Sequence, residues 1–121
     1  MRCLLVLSLA SSALVLSFGN VGAATKRPTA VGVAQREYSI ELYRSSVPPG
    51  KVSFNVHNFG QDVHNLVVKN SHGRRVGYLK KISAGESLKL EVTLKRRGRY
   101  TVLCNLANHQ KLGMRARLKV K

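Results

Sequence analysis

From Arg36 to the end of this 121-residue chain, apolar residues fall at every second position, in short runs parted by turn residues. Side chains alternate between faces along a strand, so this period marks half-buried strands. Residues 51–58 (KVSFNVHN) are the clearest run, with Val52, Phe54 and Val56 on one face. Ile40 and Leu42 share a face before it. After it come His64, Leu66 and Val68, then Leu88, Leu90, Val92 and Leu94, then Tyr100, Val102 and Cys104, and last Met114, Ala116, Leu118 and Val120. Residues 74–80 read as a short strand or an irregular segment. Val47-Pro48-Pro49-Gly50, Ser83-Ala84-Gly85-Glu86 and Arg97-Gly98 are turn signals between the runs. No segment carries a helical stripe. Short strands with turns between them predict an antiparallel sandwich over residues 36–121. Residues 25–35 contain Pro28 and Gly32 with weak alternation, and read as an N-terminal tether or a loosely held first strand.

The first 24 residues have a different character. Arg2 precedes a run over residues 3–18 that is apolar except for serines, and Val21-Gly22-Ala23-Ala24 supplies small residues for cleavage. That is the pattern of an export signal. The run is shorter than the roughly 20 residues of a membrane span; an uncleaved anchor is the alternative. Export, with the periplasm or else the extracytoplasmic face of the cell as the expected compartment, gives the cysteines a meaning. Cys3 leaves with the signal, so Cys104 remains as a lone thiol in an oxidising compartment, where free thiols are vulnerable. It is either an inert core residue or a thiolate held by a metal.

Its surroundings favour the metal. Residues 104–114 read Cys-x4-His-x4-Met, with Cys104, His109 and Met114 in one loop, and His64 lies 40 positions upstream beside another loop. A thiolate, two imidazoles and a thioether form a soft mixed set that selects copper. Three strong ligands in a plane with a long axial Met describe an electron-transfer copper site. Thiolate and thioether favour Cu(I), while imidazole and thiolate also hold Cu(II).

Three stretches resemble the cupredoxins, the plastocyanin, azurin and pseudoazurin type of blue copper protein. They are Phe54-Asn55-Val56-His57-Asn58-Phe59-Gly60 followed by His64-Asn65-Leu66-Val67-Val68, then Gly98-Arg99-Tyr100-Thr101-Val102-Leu103-Cys104, and then His109 to Met114 with Gly113. The resemblance implies an all-β, Greek-key antiparallel β-sandwich holding one copper ion. It further implies that His64, Cys104 and His109 bind equatorially and Met114 axially. Asn65 would tie the two ligand loops together from outside the coordination shell. Ala107-Asn108 stands where the family often carries a Pro-Gly pair, which bears on loop stiffness.

The formal charge is +16, from 21 Lys plus Arg against 5 Asp plus Glu. Such a field attracts anionic partners; alternatively it only keeps the chain soluble. Export disfavours nucleic acid, leaving an acidic redox protein, an anionic membrane surface or an acidic cell-surface polymer. Arg115, Arg117, Lys119 and Lys121 alternate with the inward residues of the last strand, and Lys95, Arg96, Arg97 and Arg99 cluster before the copper-loop strand. Leu106 and Leu112 are expected to form a small docking patch around His109 for a transient partner of a monomeric carrier. Phe59 and Tyr100 read as core, His57 as solvated, and His72 as a turn residue. Five carboxylates and four histidines leave little for an enzyme with a second metal centre. The expected function is one-electron transfer through Cu(I)/Cu(II), with periplasmic copper delivery as the alternative.

Overall fold

The computed structural model describes residues 14–17, 19, 20 and 22–121. The charged start and much of the apolar run that suggested an export signal lie outside the described residues. Among the described residues nine strands and one short helix follow in chain order: β1 Thr29–Arg36, β2 Ser39–Leu42, β3 Ser46–Val47, β4 Gly50–Asn58, β5 His64–Lys69, β6 Arg75–Ile82, β7 Ser87–Leu94, β8 Gly98–Leu103, α1 His109–Leu112 and β9 Arg115–Val120. They form two sheets, β2-β1-β4-β7 and β3-β9-β8-β5-β6, packed as a β-sandwich. Among the described residues no helix is long and apolar enough to cross a membrane.

The alternating residues face inward as the period requires. Val52, Phe54 and Val56 from β4 meet Leu66 and Val68 from β5, Val92 and Leu94 from β7, Tyr100 and Val102 from β8, and Leu118 and Val120 from β9 in one buried cluster. Each fully buried Val, Leu or Phe contributes about 1.5–3 kcal/mol over its exposed state. Both edges of β4 are paired, Phe54 lying opposite Leu90 on one side and Val31 on the other.

Two features depart from the sequence reading. The sheets are mixed: β1 runs parallel to β4 over seven residue pairs, and β3 runs parallel to β9. Of the two readings of residues 25–35, a tether or a loosely held first strand, residues 29–35 take the strand, and they are held firmly. They belong to β1, which lies between β2 and β4 and buries Val31 and Val33 in the core. Gly32 permits this position, because a Cβ there would press on the Tyr43 ring. The segment 74–80, read as a short strand or an irregular segment, is a strand: it lies in β6, at a sheet edge where Lys80 and Lys81 discourage further pairing.

The sandwich has two distinct poles. The ends of β1, β4 and β8 and the starts of β5, β7 and β9 meet at one, as the pairings Gln35–Asn58, His57–Ser87, His64–Ile82 and Leu103–Arg115 show. The turns after β5 and β7 lie at the other, with Gly50 opposite Leu94 and Gly98 opposite Val120.

Candidate metal centre

Strand alternation delivers two side chains to the interior of the first pole. His64 opens β5 and Cys104 follows β8, and both are fully buried. The loop between β8 and β9 brings two more. Its ends are bonded to each other, Cys104 N–H donating to the Met114 carbonyl at 3.0 Å, and Met114 N–H donates to the His109 carbonyl at 3.0 Å. These bonds hold the backbone of 104, 109 and 114 together, and Met114 is fully buried beside them. Gly113 makes the return with φ 124°, and a Cβ there would meet the Tyr38 carbonyl.

Three donor atoms converge. His64 Nδ1 lies 3.3 Å from His109 Nδ1 and 3.9 Å from Cys104 Sγ, and His109 Nδ1 lies 3.6 Å from Cys104 Sγ. Donors about 2.0–2.3 Å from one ion in a trigonal plane would stand about 3.5–3.8 Å apart, so the triangle is the right size for a metal ion. With Met114 nearby, the set fits one type 1 copper ion. Burial depresses the basicity of His64, and the neighbouring His109 adds to this against an opposing pull from Glu37. A neutral imidazole is the form that binds a metal.

Most of the surrounding polar atoms are paired, Gln35 Oε1 being buried without a partner. Asn65 N–H donates to Cys104 Sγ at 3.4 Å. The Asn65 amide donates to Asn105 Oδ1 at 2.7 Å and its Oδ1 accepts from Asn105 N–H at 3.0 Å, so Asn65 clasps the copper loop in both directions. Buried Gln35 in turn donates to the Asn65 carbonyl at 2.8 Å. Asn58 braces the loop before His64 by donating to the Asp62 and Ile82 carbonyls and accepting from Gly60 N–H.

Sequence reasoning missed the turn between β1 and β2. Glu37 Oε1 lies 3.1 Å from His64 Nε2, and the Tyr38 ring sits 5.0 Å from that of His109. Glu37 also accepts from Gln61 N–H at 3.0 Å and Asp62 N–H at 2.8 Å. Those amides, Asp62 first, hold its carboxyl below the ordinary carboxylate range. The only sequence signal was scarcity, since Glu37 is one of five acids.

Other expectations are met unevenly. Tyr100 is core, and its hydroxyl donates to the Arg96 carbonyl. Phe59 is not: it is 51 % exposed, between the Arg36 guanidinium over its ring and the edge of His57. His57 turns away from the core, its Nδ1 2.6 Å from Ser87 Oγ. Leu112 is exposed, whereas Leu106 is half-buried and packs on the core. Arg115 and Arg117 are exposed on the outer face of β9.

A family described as copper binding proteins, plastocyanin/azurin family, matches residues 29–121. No curated protein matches the sequence at a significant level. Several solved structures share the fold. A dithionite-reduced auracyanin from Roseiflexus castenholzii superposes with a TM-score of 0.69 at 18% identity, over 79% of this chain and 99% of that one. An azurin from Methylomonas sp. strain J gives 0.64 at 17%, over 77% and 98%. Auracyanin A from Chloroflexus aurantiacus, a "blue" copper protein, gives 0.68 at 15%, over 78% and 100%. At these identities the likeness concerns the fold.

Proposed function

The chain belongs to the plastocyanin/azurin family of copper-binding proteins, and from that premise we propose that it is an exported one-electron carrier. The observation that carries the reading is the convergence of two imidazole nitrogens on one buried sulfur. His64, Cys104 and His109 would hold the ion in a plane and Met114 would complete the site. Bound copper supplies a one-electron couple between Cu(II) and Cu(I). The residues supply rigidity: His64 and Cys104 are fixed by strands, and the loop by its own backbone bonds. A fixed geometry lessens the rearrangement between the two oxidation states.

His109 is the half-buried ligand, so electrons would enter and leave there, beside Tyr38 and Leu112. Redox encounters of this kind use small interfaces. An acidic protein partner would be steered by the outer face of β9 through Arg115 and Arg117. The buried thiolate and closed donor set suit electron exchange better than copper delivery, which needs an accessible ion. The chain is read as a carrier and not an enzyme, since one closed centre offers no open position for substrate.

Cu(II) added to the mature protein should give an intense thiolate-to-copper band in the visible and narrow copper hyperfine splitting in electron spin resonance. Cys104→Ser should abolish both. Colourless protein, or tetragonal copper indifferent to that variant, would remove the carrier reading.

A further inference from the structure

Glu37 stands where a basic chain has least reason to place an acid, against a fully buried histidine. The contact is built from several sides. The carboxylate is aimed by two amides, Gln61 N–H donating to Oε2 and Asp62 N–H to Oε1, and the same Oε1 lies 3.1 Å from His64 Nε2. Gly60 makes the space, because a Cβ at that position would collide with the carboxylate. Among the described residues, His64 is the one ion-pair partner of Glu37. An ionised carboxylate only accepts, so Nε2 carries the proton and Nδ1 presents a lone pair. Nδ1 is the atom that faces Cys104 and His109.

We infer that Glu37 is a positioning residue that fixes the His64 tautomer and, through the imidazole, places a negative charge that favours Cu(II) over Cu(I). The inference rests on the copper reading above. A carboxylate on the far nitrogen of a ligand histidine raises its donor strength and sets its ring. The charge acts more on the doubly charged ion than on the singly charged one, so it lowers the reduction potential.

Glu37→Gln keeps the shape and an acceptor oxygen but removes the charge. Loss of such a partner costs 10–100-fold in metal affinity; because Glu37 is partly exposed, the lower end applies. Cu(II) affinity should fall about tenfold while Cu(I) affinity changes little. The midpoint potential should then rise by about 59 mV, the one-electron equivalent of that factor. The thiolate band and hyperfine pattern should persist, which a purely structural lesion would not allow. An unchanged or lower potential with an intact blue spectrum overturns the inference and leaves the copper reading standing. Absence of the spectrum from the unaltered protein removes both. Nitrogen-15 spectra of the metal-free, unaltered protein supply a check that needs no variant. They should show His64 protonated at Nε2; protonation at Nδ1 overturns the proposal.

Discussion

The two poles of the sandwich solve opposite problems with the same strands. At the metal pole, side chains converge until their polar atoms occupy one another: Asn65 on Asn105, Glu37 on His64, Asn58 on the loop behind. At the opposite pole a cleft of about 630 Å³ is lined by His72, Arg74, Lys95, Arg96, Arg97 and Arg99, without a carboxylate. There only the backbone is braced, by Asn70 accepting from His72 and Arg74 amides and by Tyr100 holding Arg96. Convergence gives a defined site in which one atom matters. Dispersed charge gives a field in which no single residue does.

The sharpest challenge to this contrast is Asn65→Ala. It removes both hydrogen bonds to the exposed Asn105; at about 0.5–1.5 kcal/mol for each bond it should destabilise by about 1–3 kcal/mol in chemical denaturation and alter the thiolate band. An effect near zero would mean the loop's own backbone bonds suffice.

Acid should act on the same pole. His64 has an ordinary value of 6.5 and is lowered in the fold, so below 6.5 the unfolded chain takes up the proton first. Glu37, ordinarily 4.5, is also lowered, chiefly by the Asp62 amide. The metal-free protein should therefore hold its full stability above 6.5 and lose it progressively below, more steeply under 4.5. Melting temperatures across that range, with and without His64→Gln, check the sign.

The smallest expected effect on stability lies at the other pole. Replacing Lys95, Arg96 and Arg97 together by Gln should change it by less than about 0.5 kcal/mol. It should instead slow association with an acidic partner at low salt and flatten the salt dependence. A large loss of stability would show that this pole, too, is built from specific contacts.

What could be read in advance follows the same division by range. Inward positions such as Phe54, Val102 and Leu118 were legible because alternation is local. Cys104, His109 and Met114 were legible because their spacing lies within one loop. Pairing between distant strands has no such mark, so the parallel partners β1 and β4 were not foreseen, and weak alternation around Gly32 hid β1. Glu37 and His64 meet across 27 positions with no period to connect them. Phe59 misled because an aromatic beside a strand reads as core, whereas Arg36 covers it at the surface.

The chain enters β1 at Thr29 and leaves β9 at Val120, and both lie at the pole away from the metal. Whatever is attached to either end, whether a linker, a fused domain or a solid support, hangs from the same side. The protein can thus be immobilised through Lys121 with the His109 end facing outward, the orientation a surface-bound electron relay requires.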